Sequence, residues 1–106
     1  MASLCLLDDE GTAASRWEVG ARPLAVGRGA TADIIVADPA LSRRHFIISR
    51  EGGHYVVKDL QSQNGTFVDG QPATTKPLQP SDCILAGRSV FVFLDKEATA
   101  TQAVRA

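Results

Sequence analysis

Apolar residues recur along this chain in short runs. They are Leu4-Cys5-Leu6-Leu7, Leu24-Ala25-Val26, Ile34-Ile35-Val36, Phe46-Ile47-Ile48, Tyr55-Val56-Val57, Thr66-Phe67-Val68, Cys83-Ile84-Leu85-Ala86 and Val90-Phe91-Val92-Phe93-Leu94. Trp17 and Val19 alternate with Arg16, Glu18 and Gly20, the period of a half-buried strand. Polar turn chemistry closes each run. Asp8-Asp9-Glu10-Gly11 ends the first, Ala37-Asp38-Pro39-Ala40 the third, and Glu51-Gly52-Gly53-His54 reads as a hairpin turn. Asp69-Gly70 is a type I′ hairpin signal, and Gly87-Arg88-Ser89 turns the final pair of strands. No window sustains a helical period. Roughly ten short strands with frequent turns predict an all-β sandwich.

Single positions refine that picture. Pro23 stands where a strand can begin, just before Leu24. The unbroken apolar run Leu4–Leu7 predicts a strand buried on both faces. Pro72, Pro77 and Pro80 predict a loop that crosses a sheet edge. From Lys96 onward the chain is rich in Ala and Thr without an apolar period. The expected organisation is one domain over 1–95 followed by a flexible tail over 96–106.

Composition narrows the function classes. A chain of 106 residues can bury a core without metal or disulfide staples. A net charge of -1 gives no global basic field for nucleic acid, so anion recognition has to come from local clustering. Aromatic residues fall within strand signals and leave no stacking platform for single-stranded nucleic acid. No apolar run is long enough for a membrane-spanning helix, which with the lack of a basic leader predicts a cytoplasmic protein without membrane contact. Cys5 and Cys83 both lie in apolar runs and are expected as buried, reduced thiols. There is no Cys/His metal pattern, no Gly-Lys-Ser/Thr phosphate loop and no paired-carboxylate motif, so neither metal nor cofactor is expected.

Candidate chemistry lies in three loops, each following a strand signal. In Gly27-Arg28-Gly29 the guanidinium offers a planar fork of donors that suits two phosphate oxygens, or it is an ordinary surface arginine. The flanking glycines tilt the reading towards function, because they permit positive φ and free backbone N–H groups to aim at an anion. In Leu41-Ser42-Arg43-Arg44-His45, Ser42 offers a hydroxyl and a backbone N–H. Arg43 and Arg44 point to opposite faces of an extended chain, and Arg43 is the one expected to meet a ligand. His45 is either a base for Ser42 or a structural residue linking two loops through its ring nitrogens; the structural reading is preferred, because a catalytic pair needs an orienting acid. In Ser62-Gln63-Asn64-Gly65-Thr66, Asn64 can donate to and accept from an extended peptide backbone, or be a plain turn residue, and Ser62 and Gln63 add neutral donors. His54 is expected to be solvated.

Taken together, these loops resemble the forkhead-associated (FHA) domain. The matching stretches are Gly27-Arg28, Leu41-Ser42-Arg43-Arg44-His45 and Asp59-Leu60-Gln61-Ser62-Gln63-Asn64-Gly65-Thr66-Phe67-Val68-Asp69-Gly70, with Leu78–Gly87 similar to the family's late loop and penultimate strand. The resemblance implies an eleven-stranded β-sandwich whose loops at one end bind phosphothreonine peptides. It implies that Arg28, Ser42 and Arg43 hold the phosphate and that Asn64, with Ser62 and Gln63, holds the peptide. Gly27, His45 and Gly65 would support the site. Gln63 departs from the Thr or Ser that members often carry there, and Ala40 leaves no charge where selectivity along the peptide is often set. The implied partner is a phosphothreonine-containing protein or peptide made by a Ser/Thr kinase, and no enzyme activity is expected. Two alternatives remain: an FHA-fold scaffold that binds its partner independently of phosphorylation, and a small hydrolase using Ser42 and His45.

Overall fold

Eleven strands run through the chain in the computed structural model, which describes residues 2–95. They are β1 (Ala2–Leu7), β2 (Ala13–Val19), β3 (Leu24–Gly27), β4 (Ile34–Ile35), β5 (Phe46–Glu51), β6 (His54–Asp59), β7 (Thr66–Val68), β8 (Gln71–Pro72), β9 (Thr75–Pro77), β10 (Cys83–Ala86) and β11 (Ser89–Asp95). Among the described residues there is no helix, so none could cross a membrane. The tail expected over 96–106 lies outside the described residues.

Two sheets form. One has the order β2-β1-β11-β10-β7-β8 and the other β4-β3-β5-β6-β9. Hairpins explain most neighbours. Gly52 and Gly53 take φ of 58° and 84° and return β5 onto β6, pairing Glu51 with His54. Asp69 and Gly70, at 50° and 84°, return β7 onto β8. Both turns have positive φ at each central position, which matches the twist of the paired strands. Among the described residues only β3 and β4 pair in parallel, through Val26 with Ile34 and Gly27 with Ile35.

The period of two sets the core. On β5 Phe46 and Ile48 are buried while Ile47 is half-buried; on β10 Ile84 and Ala86 are buried between exposed Cys83 and Leu85. Leu4, Val26, Phe46, Ile48, Val57, Val68, Ile84, Phe91 and Phe93 meet between the sheets. Burial of each large side chain contributes about 1.5–3 kcal/mol. Phe46 and Phe91 meet edge to face with centroids 5.4 Å apart, joining one sheet to the other.

Two expectations need correction. Cys83 is exposed while Cys5 is buried, and both thiols are free. Cys83 alternates outward on β10, so its apolar neighbours in sequence are not its neighbours in space. The proline-marked stretch 72–80 is more than a loop: it contains β8 and β9, each at the edge of a different sheet. Proline is tolerated there because an edge strand leaves one side of its backbone unpaired. The double burial expected of β1 holds for Ala2 to Cys5 and relaxes to half-burial at Leu6 and Leu7. Over its outward face lies the Arg16 guanidinium, whose Nε and Nη2 donate to Ser3 Oγ at 3.2 and 3.1 Å.

Candidate anion-binding site

Strand directions bring the β3–β4, β4–β5 and β6–β7 connections and the β10–β11 turn to one end of the sandwich. The loops are fastened to one another by backbone groups. The Arg28 and Gly29 amides donate to the Ser42 and Arg43 carbonyls at 3.1 and 3.0 Å. This approach is close: a Cβ on Gly27 would lie 2.1 Å from the Arg43 carbonyl oxygen, and one on Gly29 would lie 2.9 Å from the Arg43 Cβ. Neither glycine has positive φ. The glycines therefore serve loop-to-loop packing, and the amides expected to face an anion are already engaged.

His45 is fully buried and joins two of the loops. The Ser42 amide donates to Nδ1 at 3.0 Å, and Nε2 lies 2.8 Å from the Gly65 carbonyl oxygen. A carbonyl only accepts, so Nε2 carries the proton and Nδ1 is bare. Both nitrogens are occupied and neither faces the Ser42 hydroxyl, which removes the hydrolase reading. The Ser42 amide, expected as a ligand donor, is likewise occupied. The Ser42 hydroxyl accepts from the Gln63 amide at 3.0 Å and keeps its own proton for another partner.

Arg28 is exposed, and its Nε donates to the Leu41 carbonyl at 2.7 Å. This bond anchors the guanidinium through Nε and leaves the Nη groups without a partner among the described residues. Asn64 is held in the same way, with Nδ2 donating to the Ala40 carbonyl at 2.7 Å and Oδ1 left as an acceptor. Gly65, at φ 82°, turns the chain so that its carbonyl meets His45. Arg43 and Gln63 are exposed, and their side chains have no partner among the described residues.

Ser62 is bonded within its own loop. Its hydroxyl donates to Asp59 Oδ1, its amide donates to Asp59 Oδ2 at 3.0 Å, and its oxygen accepts from the Gly65 amide at 3.0 Å. The single hydroxyl proton is thereby used inside the loop, so Ser62 has no hydroxyl proton left to donate to a peptide.

Two carboxylates that hold this end together escaped the sequence reading. Asp59 accepts from Ser62 and also from Thr66 Oγ1 at 2.7 Å. Burial acts to raise its pKa, but the hydrogen bonds from Ser62 and Thr66 outweigh it and hold the carboxyl below its ordinary range. Asp38 is buried, accepting from the Ala40 amide at 2.9 Å, the Arg88 amide at 2.8 Å and the Ser89 hydroxyl at 2.7 Å. Burial is again outweighed, by the Ser89, Ala40 and Arg88 hydrogen bonds with the Arg88 charge, and the carboxyl is held low. The available signals were Asp38 before Pro39 and the hydroxyl residues Ser62 and Thr66 after Asp59. Those patterns mark a local turn and do not reveal that Asp38 reaches the β10–β11 turn.

Arg28, the Ser42 hydroxyl, Arg43, Gln63 and Asn64 thus share one rim. Cationic donors lie on the Gly27–Gly29 side and amide groups on the β6–β7 side, an arrangement suited to an anion on an extended peptide. Among the described residues no His/Cys/Asp/Glu group could hold a metal.

A sandwich of this topology with its loops so fastened defines a loop-end binding module. The family model for the FHA domain matches residues 24–87, and the chain belongs to that family. It is 39% identical over 88 residues to an oxoglutarate dehydrogenase inhibitor of Corynebacterium jeikeium, covering 81% of this chain and 61% of the relative. It is 35% identical over 82 residues to the glycogen accumulation regulator GarA of Mycolicibacterium smegmatis, covering 77% of this chain and 52% of the relative. The chain therefore spans about half to three-fifths of those relatives' length. Among solved structures, it resembles the FhaA FHA domain complexed with the intracellular domain of Rv3910, with TM-score 0.79 and 30% identity over 88% of this chain and 99% of that one. A structure solved in a study of phosphothreonine-dependent FHA domain interactions matches with TM-score 0.80 and 30% identity over 89% of this chain and 95% of that one.

Proposed function

We propose that this domain is a phosphothreonine-dependent peptide-binding module, joining a target phosphorylated by a Ser/Thr kinase to a partner, without catalysis of its own. The observation that carries the reading is the exposed side chain of Arg28, braced through Nε on the carbonyl of Leu41, the residue before Ser42. A braced fork loses little freedom when two phosphate oxygens dock on it. Phosphate contacts come from Arg28, Ser42 and Arg43, and peptide contacts from Asn64 and Gln63, with Gly27, His45 and Gly65 shaping the rim. Relatives named as a dehydrogenase inhibitor and an accumulation regulator support a regulatory binding role rather than an enzymatic one. We place the protein in the cytoplasm, where kinase-made ligands occur.

A phosphorylated threonine brings about -1.5 to -2 charge and three acceptor oxygens. Binding should therefore weaken with added salt, because exposed charges are screened over about 8–10 Å. The test is calorimetric titration with a phosphothreonine peptide before and after phosphatase treatment. Equal affinity for the two forms favours the phosphate-independent scaffold instead.

A further inference from the structure

Each sheet has two edge strands, and among the described residues three of these edges are blunted. β4 and β8 are each two residues long, with Pro72 in β8, and β9 carries Lys76 and Pro77 within three residues. Shortness, lysine and proline all discourage a further strand from pairing. β2 has none of these. It runs for seven residues, Ala13–Val19, without glycine, proline or lysine, and among the described residues it pairs with β1 alone. Ala13 to Arg16 and Glu18 are exposed, and Trp17 is half-buried against the core. The register with β1 slips at Leu6/Leu7, so the stretch from Ser15 to Val19 is regular.

Charge along this edge is patterned. Arg16 and Glu18 share the outward face of the sheet, opposite Cys5 and Ser3 of β1, while Trp17 lies on the core side. Arg16 donates to Ser3 Oγ through Nε and Nη2, which leaves Nη1 without a partner among the described residues. The Glu18 carboxylate has none there either. Opposite charges two residues apart complement their own sequence reversed. In an antiparallel copy centred on Trp17, Arg16 faces the partner's Glu18, Glu18 faces the partner's Arg16, and Trp17 meets the partner's Trp17. Shifting that register by two residues sets Arg16 against the partner's Arg16 or Glu18 against the partner's Glu18. A parallel copy in register sets both like pairs side by side. Like charges opposite one another on a sheet are destabilising, so the pattern favours the one register.

We infer that the β2 edge is a self-association surface, on which a second copy of this chain pairs antiparallel about a two-fold axis at Trp17. Such a contact is isologous and closes as a dimer. It joins two six-stranded sheets into one, and the blunted β8 edges stop the sheet from growing further. A single strand edge is small beside the about 1,200–2,000 Å² of a stable interface, so association is weak and depends on concentration. β11 leaves the β10–β11 turn and β1 runs antiparallel to it, so β2 starts at the loop end and finishes at the far end. The two loop ends of the dimer therefore point away from each other, and the candidate sites lie on opposite sides of it.

The test is sedimentation equilibrium of the whole chain, without peptide, over a concentration series reaching about 1 mM, a level at which weak contacts are populated. The parent should show a monomer–dimer equilibrium. Arg16→Glu and Glu18→Arg each create two like-charge pairs across the axis. Each alone should raise the dimer dissociation constant by about ten- to hundredfold. Mixed in equal amounts, the two variants should associate with each other about as strongly as the parent, because both pairs are again of opposite sign. The double variant carrying both changes should recover self-association for the same reason, a rescue that damage to the fold does not give. A parent that stays monomeric throughout, single variants that dimerise like the parent, or failure of both the mixture and the double variant to associate overturns the inference.

Discussion

Asp59 and Asp82 stand at opposite ends of the sandwich, and each fastens a loop. Asp59 receives the Ser62 hydroxyl, the Ser62 amide and the Thr66 hydroxyl, all of them donors. Asp82 receives the Gln79 amide at 2.8 Å and faces a second carboxylate, Asp69, which accepts from the Cys83 amide at 2.9 Å. Burial acts to raise the pKa of both groups. At Asp59 the donors win and the carboxyl is held low; at Asp82 the Asp69 carboxyl adds to burial and pushes it up. The end bearing Arg28 is built around settled negative charges, whereas the far end keeps two that repel. Burial alone therefore does not set the charge state of a loop anchor. The donors aimed at it and the charges beside it decide as well.

The largest effect expected of this contrast is steric. Gly27→Ala would place a methyl 2.1 Å from the Arg43 carbonyl oxygen, forcing the loops apart. It should cost about 3 kcal/mol in urea denaturation and remove phosphopeptide binding, in the upper range for overpacking. Gly70→Ala at the far end meets nothing within 4 Å and is opposed only by its φ of 84°. It should cost about 1–2 kcal/mol, the usual left-handed penalty. Equal costs would mean that close packing is not what distinguishes the ends.

Next is Arg28→Ala. Loss of one hydrogen bond to a charged group is worth about 1.5–3 kcal/mol, or about 10- to 150-fold in affinity. Titration should show at least that loss, and Arg28→Lys should restore little, because an ammonium lacks the fork. The melting temperature should fall by only a few degrees, since a single bond to Leu41 is lost. His45→Ala, by contrast, should lower melting temperature and affinity together, because it opens a buried gap and orphans the Ser42 amide and Gly65 carbonyl. A variant lacking His45 that keeps parental stability but binds nothing would move His45 into the ligand site.

One substitution made at both anchors sharpens the comparison further. Asp59→Asn replaces an oxygen by an amide that meets a donor head-on, and should destabilise by about 2 kcal/mol at neutral pH. Asp82→Asn retains an acceptor for Gln79 and turns a repelling partner of Asp69 into a donor. It should leave stability unchanged or raise it by up to about 1 kcal/mol. Thermal melts at pH 7 decide the sign.

The smallest effect is the acid response. Asp38 and Asp59 are lowered from 3.8, so their stabilisation is complete above that pH and fades as pH falls through their depressed values. Asp82 is raised from 3.8, so its contribution favours the fold in acid and is lost as pH rises through its raised value. Asp82→Asn should therefore flatten stability in the weakly acidic range, and Asp59→Asn should flatten it only in stronger acid. Identical pH profiles would erase the distinction.

Most of the fold was legible because strand period and turn residues are local properties. Gly52-Gly53 and Asp69-Gly70 announced their hairpins, and Phe46 and Ile48 announced an inward face. What the sequence hid was partnership across space. Cys83 looked buried because its neighbours are apolar, although on a strand they point the other way. Prolines concealed β8 and β9, since edge pairing does not require every amide. At the site, residue identities were readable but the direction of each bond was not. The Arg28, Gly29 and Ser42 amides and the Ser62 hydroxyl all looked like ligand donors, yet each is taken by a neighbouring loop. Asp38 was read as turn chemistry alone because its partners at 88 and 89 are remote in the chain.

The carbonyls of Ala40 and Leu41 have a consequence for how this module can change its clientele. They brace Asn64 and Arg28 through main-chain atoms that every residue type possesses. The side chain at 40 is thus released from the bracing task, as are the outward side chains of Gln63 and Arg88, whose amides do the fastening. On the proposed function, changing which targets are chosen becomes a matter of exchanging exposed side chains at 40 and 63, leaving the proposed phosphate catch in place.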